Sequence, residues 1–297
     1  MFTHGPATPV RLEVLLNVLE EYSSGLERNV IYEMLQPTSL SGSGSTETNN
    51  SQTTKYPKIT DTISAALQLG LAAESSNGIK LNKDYDKKKS TKKNILMATD
   101  KMVLSKRNVE PYLALFYSYY LGLNTDVYEC MGFNSEKWAY EFNNKVFNNQ
   151  PQPNPFNSTK YTGLNRWFSY LGLGWYDSDE NFQANPYERL LRSLSDIFVE
   201  KNILSGDDFM KKLAVVCPEL DGGGLFIKAN KYRNYKVAEK QCTLGLSHAL
   251  VDLHEDGFIN LECPVDSLGW NIGLAAPSQD ESIEDDRITN IKYLRKE

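Results

Sequence analysis

Ile63-Ser64-Ala65-Ala66-Leu67-Gln68-Leu69-Gly70-Leu71-Ala72-Ala73-Glu74-Ser75-Ser76-Asn77-Gly78-Ile79-Lys80-Leu81 changes its period part-way along. Before Gly70, Ile59, Ile63, Ala66 and Leu67 fall toward one side, and Asp61, Ser64 and Gln68 on the other. That spacing predicts a helix from about Lys58 to Leu69. After Gly70, two short apolar runs flank Ser75 to Gly78. Asn-Gly between such runs predicts a β-hairpin, because both central positions of a type I′ turn need positive φ.

Upstream, Thr8-Pro9 reads as a helix start, and Val10, Val14, Leu15, Val18, Leu19 and Tyr22 follow at helical spacing. Ser24-x-x-Glu27 reads as a capping box for a second helix with Leu26, Val30, Ile31, Met34 and Leu35 inward, ended by Pro37. Residues 38–54 are rich in Ser, Thr, Gly and Asn and predict a flexible loop. Three helices and then a hairpin is the order of a winged helix-turn-helix, whose third helix turns its polar face to the major groove.

Downstream the plan returns. Residues 109–123 form a tyrosine-rich, buried helix, and 125–130 a short one. Residues 135–147 are amphipathic through Trp138, Phe142 and Val146, and 160–171 are helical. Leu171-Gly172-Leu173 then repeats Leu69-Gly70-Leu71, with strand, polar turn and strand at nearly the same spacing. A weaker third pass has helices over 187–198, 207–216 and 243–254. Its strand begins at Phe258, with Leu268 to Ile272 as hairpin partner, and the insert 222–240 has no counterpart. The expected fold is mainly α with small β-hairpins, an α+β chain of two or three tandem winged helix-turn-helix units. The expected divisions are 1–84, a basic linker 85–108, a second unit 109–186, a third 187–276, and an acidic tail or helix 277–297, helical over Ser282 to Arg295.

The net charge is −6, so the chain as a whole does not attract nucleic acid. Its distribution is uneven. Lys80 to Arg107 holds ten basic residues against three Asp, a local +7, which leaves −13 for the remainder. Lysines Lys83, Lys87, Lys88, Lys89, Lys92 and Lys93 follow the first hairpin, where a wing tip meets the DNA backbone; the same run is also the composition of a solvated linker. On the two third helices, Ser64 and Gln68, and Asn165 and Arg166, are the candidate base readers. Lys228, Lys231 and Arg233 alternate with Tyr232 and Tyr235, a pattern that stacks bases or packs routinely on a surface.

Catalysis finds little support. There are three histidines, no phosphate-binding loop, no G-x-S-x-G and no H-E-x-x-H. His254-Glu255-Asp256 falls at a helix-to-strand turn and reads as surface. The four cysteines form no CxxC, so no zinc ribbon or redox pair is expected. No apolar run approaches the roughly 20 residues of a membrane span, and Met1 to Arg11 does not read as a signal peptide, so a cytoplasmic protein without cofactor or metal is expected.

Thr8-Pro9-Val10-Arg11-Leu12 together with Ile63-x-x-Ala66-Leu67-x-Leu69-Gly70-Leu71 resembles the N-terminal winged helix of accessory proteins in bacterial DNA-modification and phage-defence clusters, the DpdG family. The resemblance covers roughly the first 80 residues. It implies a non-catalytic subunit that works beside helicase or ATPase partners at DNA, and it supplies no catalytic residues. The expected function is a DNA-binding adaptor subunit of a larger complex; a sequence-specific transcriptional regulator and a nuclease built on paired carboxylates are the alternatives.

Overall fold

The computed structural model of the chain describes residues 7–37, 57–105, 107, 110–233, 240–262, 268–272 and 287–294. The expected loop at 38–54 lies outside them. The structure is mixed α and β, mostly helical, with small antiparallel sheets. None of the described helices is long and apolar enough to cross a membrane. The chain forms two compact units whose limits differ from the expected divisions. Unit 1 takes in the described residues up to Val103 with Arg107, Glu110 and Thr159–Trp167; unit 2 takes in most of the rest.

Unit 1 begins with α1 (Pro9–Glu21), capped by the Thr8 hydroxyl, which accepts from the Arg11 amide. Its buried stripe is Leu12, Leu15, Leu16 and Leu19, so the expected stripe is rotated. Val10 and Val14 are 67% and 44% exposed, because four leucines present a larger apolar face than the valines beside them. Next comes α2 (Arg28–Leu35). Its N-cap is Glu27, with no side-chain cap, rather than Ser24. The reason is tertiary. Leu26 is held extended by two hydrogen bonds of 2.8 Å with Ile79, N–H to carbonyl in each direction, and no helix can include it. Val30 and Met34, expected inward, are exposed; Ile31 and Tyr32 are the buried residues.

Then follow α3 (Pro57–Gln68), β1 (Ala72–Ser75) and β2 (Gly78–Leu81). The hairpin is where the sequence places it, but its turn differs. Ser75 pairs with Gly78, so the central residues are Ser76 and Asn77. Neither has positive φ; Gly78 has, at +104°. Asn77-Gly78 therefore does not form the centre of a type I′ turn; the glycine follows the two central residues. A Cβ on Gly78 would overlap the Leu26 carbonyl, which explains why glycine is required where Leu26 docks.

The expected basic linker holds α4 (Thr91–Met102), capped by the Ser90 hydroxyl on the Lys93 amide at 3.2 Å. Asn94, Ile95 and Thr99 are its buried side. Asn94 and Asp86 exchange hydrogen bonds of 3.1 and 2.9 Å, and the buried Tyr85 donates to the Thr91 hydroxyl at 3.2 Å. The lysines hide this helix in the sequence because they occupy its solvated side. Trp167 completes unit 1, its indole N–H donating to the Ala7 carbonyl at 3.0 Å.

Unit 2 is built around α5 (Pro111–Leu123), buried from Leu113 to Leu123 as expected. A 3-10 helix (Asn124–Cys130), α6 (Ser135–Phe147) and the ends of α7 (Ser158–Phe168) follow. Phe116 is in ring contact with Trp138, Phe142, Phe156 and Phe168, with centroids 5.3–6.0 Å apart. The second hairpin is β3 (Gly174–Tyr176) with β4 (Phe182–Ala184). After it come α8 (Tyr187–Ile197), β5 (Ile203–Ser205), α9 (Gly206–Val216), α10 (Gly224–Asn230) and α11 (Leu244–Glu255). Inside, Arg189 pairs with Glu219 at 2.9 Å, both buried.

The C-terminal part departs most from expectation. Strand β6 (Ile259–Glu262) does not pair with the segment around Leu268 to Ile272. That segment gives β7 (Trp270–Asn271), which pairs with β8 (Arg287–Ile288). Strand β9 (Asn290–Tyr293) lies between β5 and β6, antiparallel to both. Of the expected helix over Ser282 to Arg295, Arg287–Ile288 and Asn290–Tyr293 are strands, and none of its described residues is helical. Ile288 and Ile291 are its buried residues, and their partners stand far away in the sequence.

Candidate nucleic-acid interface

The two hairpins share a backbone device. Leu71 and Leu173 each donate to the carbonyl five residues earlier, Ala66 at 2.9 Å and Phe168 at 3.0 Å. Gly70 and Gly172 each donate to the carbonyl three residues earlier. The two glycines have φ of +70° and +68°, the left-handed end that stops a helix. The carbonyls of Leu71 and Leu173 then accept from Asn82 and Asn185 at 2.9 and 3.1 Å. Both asparagines turn the chain by accepting from the amide two residues on, Asp84 and Tyr187. The repeat read from Leu-Gly-Leu thus extends through both hairpins.

The surroundings differ in chemistry. On α3, Gln68 is exposed at the C-terminal end with Lys58 at the start, while Ser64 is half-buried and donates to the Thr60 carbonyl at 3.0 Å. Gln68 is free to meet a base edge; the Ser64 hydroxyl already has an acceptor. Beyond β2, Lys83, Lys88 and Lys93 are exposed, and their ammonium groups are in no hydrogen bond or ion pair among the described residues. Lys87 reaches the Glu20 carbonyl near the end of α1 at 3.3 Å, and Lys89 pairs with Asp86 at 3.2 Å. Lys92 is exposed on the first turn of α4. Lysines tethered to ordered backbone in this way can contact phosphates without selecting sequence.

The other expected contacts divide. Asn165 is half-buried and bonded to Tyr161, and Arg166 is exposed one residue on; both belong to unit 1. Lys228 and Lys231 are exposed in unit 2, Lys231 with its ammonium 5.1 Å from the centre of the Tyr232 ring. Arg233 is engaged. It pairs with Asp126 at 3.2 Å, donates to Asn230 at 3.4 Å and lies over the Tyr119 ring at 5.6 Å.

The family model described as DpdG-like matches residues 2–267. The chain belongs to the DpdG-like family. No curated protein and no solved structure matches it. In this family member the lysine run after the first hairpin lies in unit 1, whereas unit 2 carries a feature that the sequence pattern does not announce. Trp175, on β3, is 52% exposed and lines two hollows of about 180 and 400 Å³. The only signal for it is positional: Asn185, which lines both hollows, stands where Asn82 stands in the first hairpin.

Proposed function

We propose that this chain is a non-catalytic, DNA-binding adaptor subunit of a larger nucleic-acid-processing complex in the cytoplasm. In this reading unit 1 is a winged helix-turn-helix. The observation that carries it is the pairing of Leu26 with Ile79. It bridges the segment between α1 and α2 to the hairpin at one residue, so that α1, Leu26, α2, α3, β1 and β2 follow in the order of a winged helix. On such a scaffold α3 enters the major groove with Gln68 foremost, and Lys83, Lys88 and Lys93 follow the phosphates. Lys87, Lys89, Lys92, Ser64, Asn165 and Arg166 give secondary contacts. DpdG-like membership supports a place in a DNA-modification and phage-defence cluster, beside an ATPase or helicase subunit. The scarcity of histidine and the lack of phosphate-loop and nucleophile motifs support binding rather than chemistry.

With a net charge of −6 the chain as a whole repels DNA, so binding is local and weak. Fluorescence anisotropy of a labelled duplex, titrated with protein at several salt concentrations, tests it. The expected result is micromolar binding at low salt that falls steeply with added salt and is the same for unrelated sequences. Nanomolar preference for one site would favour the regulator instead. No binding at low salt would remove DNA from the proposal.

A further inference from the structure

We propose that the hollows beside Trp175 in unit 2 receive an arginine side chain from a basic segment of a partner protein. This deepens the adaptor half of the function proposed above by naming the chemistry of the partner. The larger hollow is lined by Gly172, Gly174, Trp175, Asn185 and Tyr187 and by four carboxylates, Glu188, Asp252, Glu255 and Asp256. The smaller one shares Trp175, Asn185 and Asp252 and adds Tyr128, which is 55% exposed. Among the described residues no lysine or arginine lines either hollow; His248 lines the smaller one. Arg192 stands near Gly172, but its guanidinium donates to the carbonyls of Glu188 and Leu171 at 3.1 and 3.0 Å.

Two of the four carboxylates are held in place. Asn185 donates to Asp252 at 2.6 Å, which leaves the second carboxylate oxygen of Asp252 open to a further donor. Tyr187 donates to Asp256. Gly172 and Gly174 line the larger hollow without a side chain. At Gly172 a Cβ would overlap that of Glu188. An exposed indole beside four carboxylates, two of them held, suits a planar cation. Guanidinium stacks on the ring face and offers paired N–H donors to carboxylate, whereas ammonium is a hydrated point charge. The four carboxylates repel phosphate, so the surface fits a basic protein and not a nucleic acid.

The test uses the full chain and three fluorescein-labelled ten-residue peptides of one scaffold, bearing three Arg, three Lys or three Gln. Anisotropy should give the order Arg, then Lys, with Gln unbound. Trp175→Ala should weaken the Arg peptide about tenfold, and Glu188→Gln with Glu255→Gln by at least as much, while Glu136→Gln on α6 leaves it unchanged. Near-ultraviolet circular dichroism and unchanged thermal melting establish that the variants fold. Equal binding by wild type and Trp175→Ala would overturn the proposal, as would equal binding of the Arg and Gln peptides. Self-association in sedimentation velocity that disappears in Trp175→Ala would assign the hollows to a second copy and overturn the partner. Binding of single-stranded DNA that depends on Trp175 would overturn it as well. The duplex titration is a separate measurement and should be unaffected by Trp175→Ala, so failure here and failure of the DNA reading are distinguishable.

Discussion

The hairpin β1–β2 and the hairpin β3–β4 follow the same helix stop and the same asparagine turn, yet one is surrounded by lysines and the other by carboxylates and an exposed tryptophan. The backbone device is therefore separable from what it presents. Helix end, glycine, leucine and asparagine fix where a hairpin leaves a helix; the residues around it decide what it meets. The first hairpin is also clamped by the isolated bridge between Leu26 and Ile79. The turn of the second is organised from within, by the Asp177 carboxylate accepting from the amides of Asp179 and Asn181 and from Gln183. Those bonds hold the Asp177 carboxyl below its ordinary pKa, the Asn181 amide first among them.

The sharpest way to break the comparison is Gly78→Ala. The substitution forces positive φ on a side chain and drives a Cβ into the Leu26 carbonyl. It should cost about 3–4 kcal/mol of stability, read by thermal or urea unfolding. A loss under 1 kcal/mol would mean that Leu26 does not clamp the hairpin.

Asp221 should give unit 2 a pH signature. It is buried and accepts from the Thr243 amide and hydroxyl at 2.7 and 2.9 Å at the start of α11. Burial raises its pKa to about 6 despite those bonds. A raised carboxyl binds its proton more tightly folded than unfolded. Its contribution is fully present below the unfolded value of 3.8 and declines as pH rises through about 6. The decline amounts to up to about 3 kcal/mol. Asp221→Asn should flatten stability between about pH 4 and 6; an unchanged slope would place the titration elsewhere.

A smaller effect separates the two helix stops. Gly70 and Gly172 share φ, but a Cβ at Gly70 meets open space, while one at Gly172 overlaps Glu188. Gly70→Ala should cost about 1 kcal/mol and Gly172→Ala about 2 kcal/mol. Equal costs would mean that the second hairpin and α8 pack more loosely than their geometry shows.

What could be read from the sequence followed from how local the cause was. The Thr8 cap, the period of α3, the stop at Gly70 and the buried tyrosine helix α5 are set by neighbouring residues, and all stand where the pattern places them. The start of α2 was hidden because Leu26 answers to Ile79, far along the chain. Helix α4 was hidden because its lysines read as a linker while Asn94, Ile95 and Thr99 form the buried side. The C-terminal strands were hidden because β9 has meaning only between β5 and β6. Among the candidate contacts, charge alone marked Lys83 and Arg233 alike. Only the fold separates an ammonium in solvent from a guanidinium paired with Asp126.

The central claim is that unit 1 and not unit 2 meets DNA, and the salt dependence of duplex affinity tests it most directly. Replacing Lys83, Lys88 and Lys93 by Gln removes three phosphate contacts. The slope of log affinity against log salt should fall by about 2–3, with affinity at low salt more than tenfold weaker. Replacing Lys228 and Lys231 by Gln should leave both unchanged. The same loss from either set, or none from the first, would contradict the account.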